Sequence, residues 1–388
     1  MKAGSTLSLL LLFLLTISCG RSGDAKQERA ERARAMKGEI TIGAVAPWAR
    51  LEGERLLWQG IEIARDEINN GGGVLGRKIR LLKEDDEGTA TQALVVAQKF
   101  ADNPDVVAVI GHHNSHCSIA TSIMYEYYGI LMLSPTSSAP RLTERGGLSY
   151  VFRNAPTDLR LAQRLAVLAR KRGYDRVMTY YTDNDYGRGL ANAFEAEAVA
   201  LGCTVVDRLS YDPRSHLRYF QKDLERWRKD FAFDAIFLAG EVPKAGEIIA
   251  EARRLGLKVP IMGGDALDSC QLWEVGGGDL VEGTIVGTYF HPDDPRPEAQ
   301  AFTRAFSRRY GRLPEATAAQ GYDALKLLAH AMQKAGTTAP GEVAETLRKV
   351  KNWQGVTGPH TFNNQGDVVN KPIIIQVVRG KKFKLLKE

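Results

Sequence analysis

Asn114, Ser115, Thr136 and Ser138, with His112, His113 and His116, crowd two polar loops between Gly111 and Ser138. Each loop follows a short apolar run, Val106 to Ile110 and Ile130 to Leu133, rich in Val, Ile and Leu and suited to buried parallel strands. Ser118 to Tyr128 reads as the helix between them. Gly111 to Ser115 therefore precede a helix N-terminus, whose free N–H groups attract anions. Ser134 to Ser138 add hydroxyls and N–H groups at the carboxyl end of the neighbouring strand, where open parallel sheets place their ligands. The chemistry predicted is noncovalent, a crevice for a carboxylate. Ser115 as a plain helix N-cap is the alternative.

Other chemistries fare worse. His112, His113, His116 and Cys117 are zinc-ligand types, but adjacent histidines in a tight loop do not easily face one ion, and no matching cluster stands elsewhere. No metal is expected. Cleft-lining or capping histidines, whose charge near pH 6.5 would tune anion binding, fit better. No G-x-G-x-x-G follows the first strand, and neither Ser115 nor Cys117 comes with a nucleophile elbow. The expectation is a binding protein without cofactor, not an enzyme.

The N-terminus points to export. Leu7 to Ile17 is an apolar run shorter than the roughly 20 residues that span a bilayer, so residues 1–18 read as a signal peptide. Ser18-Cys19 resembles a bacterial lipoprotein cleavage site, which would make Cys19 the lipid-bearing first residue, although Thr16 replaces the usual Leu and Lys2 is the only n-region cation. Residues 19–38 are small and charged without apolar periodicity, as in a solvated tether. Most of the net charge of +6 resides there and at Lys2. The body is left near neutral, which argues against nucleic acid as partner, while the basic tether suits a membrane bearing anionic lipid. Cys117, Cys203 and Cys270 leave at least one thiol unpaired within the chain.

To position the two loops, the body must be layered. From Glu39 on, strand-like runs (Ile40 to Val45, Ile79 to Glu84, Arg176 to Tyr181, Thr204 to Leu209, Ala235 to Leu238, Pro260 to Met262, Thr284 to Thr288) alternate with helical ones. Leu56, Leu57, Gly60, Ile61, Ala64 and Ile68 recur at helical spacing until Asn69 and Gly71 to Gly73 stop them, and a helix opens near Asp158. This is α/β patterning of two-domain length, with no Pro- and Ser-rich linker between.

Ile42-Gly43-Ala44, Glu67-Ile68-Asn69, Gly71 to Arg77, Asp85-Asp86, Val109 to His112, Gly129 to Met132 with Ser134-Pro135, Asp185-Tyr186-Gly187, Met262-Gly263, Tyr322-Asp323-Ala324 and Gly355 with Thr357-Gly358 follow one another in a familiar order. In that order and spacing the chain resembles the branched-chain amino-acid (leucine/isoleucine/valine) binding family of periplasmic substrate-binding proteins over nearly the whole mature body. The resemblance implies an α/β fold of two Rossmann-like lobes with parallel central sheets, joined by three crossovers: 39–156 plus 288–372 as lobe 1, and 157–287 plus 373–388 as lobe 2. It implies hinge closure on a small ligand, and delivery to an ABC permease and ATPase complex. The family's disulfide near the first cleft loop is absent, because Glu84 to Ala90 holds no cysteine.

Residue by residue, the resemblance places Ser115 on the ligand carboxylate, with Thr136 and Ser138 from the second loop beside it. Tyr186 corresponds to the aromatic that covers the ligand, and Asp265 stands where the family carries a glutamate for the ligand ammonium. Glu241 replaces an aromatic residue, so two acids face the cleft unless Glu241 points outward or caps the helix after Pro243. Pro47 to Gly53 corresponds to the side-chain pocket, with Trp48 as an apolar wall and Arg50 and Glu52 as solvent residues or readers. The ligand expected is an α-amino acid, branched-chain-like or polar. An amide, urea-type or aromatic-acid binder, or a sensor, of the same fold is the alternative.

Overall fold

The computed structural model describes residue 23 and residues 25–49 and 52–387, with side chains described from residue 56 after the first strand's loop. The signal segment, Cys19, Arg50 and the Glu52 side chain lie outside what is described.

Two sheets organise the chain. The first joins β1 (Ile40–Ala46), β2 (Ile79–Asp85), β3 (Val106–Ile110), β4 (Leu131–Ser134) and β5 (Val151–Arg153) in the order β2-β1-β3-β4-β5, parallel throughout. β1, β3 and β4 are buried at every position, because helices cover both faces and an unbroken apolar run has no wet side. Those helices are α2 (Glu52–Asn70), α3 (Ala90–Ala101), α4 (Ser115–Tyr128) and the short α5 (Arg141–Glu144). α4 starts three residues before the expected Ser118, so Ser115 is its first residue and Asn114 its N-cap.

The second sheet holds β6 (Arg176–Thr182), β7 (Thr204–Tyr211), β8 (Ala235–Ala239), β9 (Ile261–Gly263) and β10 (Ile285–Thr288), parallel in the order β10-β9-β8-β6-β7. Around it stand α6 (Asp158–Lys171), α7 (Asp185–Ala200), α8 (Leu217–Asp230), α9 (Lys244–Arg254) and α10 (Gln271–Gly276). The chain then builds α11 (Pro297–Tyr310), α12 (Ala316–Ala335), α13 (Pro340–Arg348) and the small antiparallel sheet β11 (Trp353–Gly355), β12 (Gly358–Phe362) and β13 (Val368–Val369). It finishes with β14 (Ile374–Val378) and β15 (Phe383–Leu385), which join the β10 edge antiparallel. The centre of the second sheet is thus parallel, as the family likeness implied, and the C-terminal strands add an antiparallel pair at its β10 edge. A chain arriving from lobe 1 reaches the β10 edge directly and turns back by a short hairpin, a connection that only antiparallel strands permit.

The chain passes between lobes three times: Arg153 to Asp158, Thr288 to Pro297, and Val369 to Ile374. α12 closes lobe 1 by packing along α2, its Leu325, Leu328 and Met332 sharing a buried cluster with Leu57, Ile61 and Ala64. Gly60 is required at that contact, because a Cβ there would run into the Ala318 carbonyl. Sequence-distant motif pieces also meet: the Asp323 carboxylate accepts the N–H groups of Val356 and Thr357, each at 2.8 Å.

The expected solvated tether is corrected over residues 25–35, which form a helix, α1, docked on lobe 1. Arg29 is buried and donates to the carbonyls of Ala101 (2.7 Å), Val106 (2.7 Å), Asn103 (2.8 Å) and Tyr128 (3.0 Å). Ala101 and Tyr128 end α3 and α4, where helix carbonyls lack intrahelical donors and favour a cation. Burial pulls Arg29 down to about 10. Ala33 enters the lobe 1 core, and Lys26 pairs with Glu126 at 2.9 Å. Apolar periodicity missed this helix because alanines and a guanidinium hold it; its Ala, Glu and Arg content is itself strongly helix-forming.

Candidate functional site

A cavity of about 870 Å³ lies between the lobes, lined by the carboxyl ends of both sheets and by the start of α12. On the lobe 1 side its wall is the β3–α4 loop. Gly111 has φ +144°, and a Cβ there would clash with the Val45 carbonyl and side chain, so glycine alone lets β3 and β1 approach and turn. Asn114, Ser115 and His116 then present the first turn of α4, whose N–H groups have no acceptor in their own helix.

Hydroxyls lace the second loop to the first. Thr136 lines the cavity and donates to the His113 carbonyl at 2.8 Å. Ser134 and Ser137 donate to the His112 carbonyl at 2.9 and 3.3 Å, and the Ser118 and Ser137 hydroxyls meet at 2.7 Å. Ser115 Oγ accepts the Ala139 N–H at 3.3 Å and is not a helix cap. The Asn114 side-chain oxygen is buried without a partner among the described residues.

Facing this wall, lobe 2 offers an acid held by two phenols. Asp265 follows β9, Tyr186 is the second residue of α7, and Tyr289 follows β10. Tyr186 donates to Asp265 Oδ1 at 3.2 Å and Tyr289 donates to Oδ2. Burial raises the Asp265 carboxyl above its usual range, with the Tyr289 and Tyr186 bonds opposing it. Burial and the Asp265 charge push both phenols well up, so they stay neutral donors. Glu241, after β8, also lines the cavity and accepts from Asn184 Nδ2 at 3.4 Å. It points inward and does not merely cap α9.

Of the residues singled out from sequence, Asn114, Ser115, Thr136, Tyr186, Glu241 and Asp265 line the cavity, and Ser138 and Trp48 do not. Ser138 is buried behind it, its carbonyl accepting the Asp158 N–H at 2.9 Å at the start of α6. Trp48 turns away: its Nε1 donates to the Glu84 carbonyl at 2.7 Å, its ring lies edge-on to Trp58, and Lys83 sits over both indoles. The exposed edge of β2 offers an indole a carbonyl and a cation that an apolar wall would not, and Pro47 lines the cavity instead.

The histidines part company. His112 is fully buried between Asp86 (2.6 Å) and the Tyr125 hydroxyl (2.9 Å), a core residue and not a cleft residue. Burial opposes ionisation of Asp86, but the His112 hydrogen bond and charge override it and hold the carboxyl below its usual range. His113 does line the cavity, yet burial lowers it to about 4, so it is neutral where a charge near pH 6.5 was expected. His116 reaches the Gly88 carbonyl at 3.0 Å. The three rings diverge. Among the described residues no disulfide joins Cys117, Cys203 or Cys270.

Sequence reasoning missed Tyr289, Gln320 and the Glu315 to Thr317 segment. Tyr289 was findable, since it stands at a strand's carboxyl end as Asp265 does. Gln320, a lone amide in the run Ala318 to Gly321, offered no comparable cue.

Known proteins are similar to this chain along most of its length. The family model described as periplasmic binding protein matches residues 40–382. A Leu/Ile/Val-binding protein of Rhizobium johnstonii is 30% identical, covering 86% of this chain and 90% of its own. An ABC transporter substrate-binding protein of Desulfitobacterium hafniense, solved in complex with Leu, is 40% identical with a TM-score of 0.79, covering 90% of this chain and 100% of its own. A leucine-binding protein of Thermotoga maritima is 29% identical with a TM-score of 0.83, covering 90% of this chain and 98% of its own.

Proposed function

The chain belongs to the periplasmic binding protein family, and from that premise we propose that it is the solute receptor of an ABC importer for an α-amino acid. In this reading the first turn of α4 with Ser115, and the Thr136 loop, hold the ligand carboxylate. Asp265, with Glu241 nearby, holds the ammonium. Closure about the three crossovers brings the two grips together and presents the closed form to a membrane permease. No chemistry on the ligand is involved.

The observation that carries the proposal is the polarity of the cavity: helix N–H groups and hydroxyls on one lobe face a phenol-braced acid on the other. An α-amino acid has that same dipolar pattern. The names of the relatives point the same way. A benzoate-like ligand has no cation for Asp265 and Glu241, which disfavours the aromatic-acid alternative. Export and lipidation at Cys19 belong to the proposal, and mass spectrometry of the mature N-terminus tests them: a chain starting with a diacylated Cys19 agrees, and an unmodified residue after Cys19 refutes the anchor.

Calorimetry tests the site. Leucine, isoleucine, valine and polar amino acids are titrated into the wild type and into Ser115→Ala and Asp265→Ala. A charge-assisted hydrogen bond contributes about 1.5–3 kcal/mol, so each variant is expected to lose tenfold or more in affinity. Unchanged affinity in both variants overturns the assignment.

A further inference from the structure

The amide of Gln320 is buried at the hinge end of the cavity, on the second turn of α12. Its oxygen accepts from Lys371 Nζ at 3.0 Å and from Asn154 Nδ2 at 3.2 Å. Lys371 also donates to the Asn154 carbonyl at 2.7 Å and meets His360 Nε2 at 3.1 Å. His360 Nδ1 lies 3.0 Å from the Gly358 carbonyl, an acceptor, so the ring proton sits on Nδ1 and Nε2 is left to accept. Three acceptors thus take up the three hydrogens of the lysine ammonium.

Asn154 and Lys371 together fix the amide. Burial lowers Lys371 to about 7, but the Asn154 NH2, held by the Gln320 carbonyl at 3.1 Å, is a donor at any pH, so Gln320 turns its oxygen to Asn154 and Lys371 and its NH2 away. This assignment follows from the partners, as any amide orientation must. Among the described residues the Gln320 nitrogen has no hydrogen-bond partner, although the residue is fully buried. A buried donor left unpaired is costly, and Gln320 is one of the residues that line the cavity.

We infer that Gln320 is a specificity-determining residue whose NH2 donates to an oxygen on the ligand's side chain. The inference rests on the amino-acid reading and deepens it: the Ser115 loop and Asp265 account for the two ends common to every α-amino acid, and Gln320 stands on neither wall. Its ligand class is α-amino acids with a carbonyl or hydroxyl oxygen in the side chain. Asn154 lies on the first crossover and Lys371 on the third, so the donor is anchored to the hinge itself and keeps its place as the lobes close.

The test compares L-leucine with its methyl-ketone isostere, in which a carbonyl oxygen replaces one side-chain methyl, and with L-asparagine, by calorimetry. The wild type is expected to bind the ketone at least about tenfold more tightly than leucine. Gln320→Met removes the donor and should bring that ratio to about one. Gln320→Glu keeps an oxygen for Lys371, and with it the fold, while setting an oxygen against the ketone, so the ratio should fall below one. Circular dichroism melts verify that each variant is folded. Leucine bound as tightly as the ketone by the wild type, or a ratio that survives both substitutions, overturns the inference and leaves the amino-acid reading standing. Binding of none of the three, nor of isoleucine, valine and the polar amino acids titrated above, by the wild type refutes both.

Discussion

Asp265→Asn separates a charge contact from everything else in the cavity. The asparagine keeps the shape: its oxygen still accepts one of the two phenols that brace Asp265, and its NH2 meets the other hydroxyl, which turns to accept. The fold should tolerate it. Burial raises the Asp265 carboxyl above its ordinary 3.8, so the folded chain holds that proton more tightly than the unfolded one. The carboxylate therefore lowers stability as pH rises through that interval, and the amide removes the effect. Binding has the opposite sign, since the ammonium needs the ionised carboxylate. Wild-type affinity should fall as pH drops through the raised pKa, and the variant should lack that dependence. The charge-assisted bond contributes about 1.5–3 kcal/mol, a factor of about 10 to 150 in Kd. A double cycle isolates it: leucine and its deaminated analogue isocaproate, each titrated into wild type and variant at pH 7.5 and 5. The coupling at pH 7.5 should be about 1.5 kcal/mol or more, because isocaproate has no ammonium to lose. A coupling below about 0.5 kcal/mol refutes the assignment of Asp265 to the ammonium.

Other perturbations probe the scaffold. Asp158 is buried, and burial raises it to about 8, with the Ser138 hydroxyl opposing the rise and the Asp265 charge adding to it. The folded chain binds the extra proton between about 4 and 8, so stability falls across that range, and Asp158→Asn should gain on the order of a few kcal/mol over wild type at pH 8 but not at pH 4 in urea melts. Arg29→Ala strands four carbonyls and should cost about 2–4 kcal/mol by the same measurement, where a mobile tether would cost nothing. Trp48→Ala should change amino-acid affinity less than about twofold, since the indole faces β2; a tenfold loss by calorimetry would return Trp48 to the cavity.

The layered fold was legible because a buried parallel strand must be apolar on both faces and a covering helix on one, and both patterns are local. β1, β3, β4, β6 and β8 fall where those runs lie. Asp265 was legible by position, at a strand's carboxyl end in a matched motif. Helix α1 was not, since its anchor is one arginine reaching carbonyls more than seventy residues away in the chain. The same holds for Trp48, whose polar Nε1 found a backbone acceptor outside the cavity.

The sequence alone thus determined the alternation of strands and helices, the two polar loops between Gly111 and Ser138, and an acid to oppose them. Tertiary structure decided which side chains share the cavity and what each is free to do there. It braced Asp265 between Tyr186 and Tyr289, withdrew His112 and Ser138 into the core, and tied the Gln320 oxygen to Lys371 and Asn154. The physical reason is that periodicity depends on neighbours within one element, while hydrogen bonds and burial depend on residues that only the closed fold brings together.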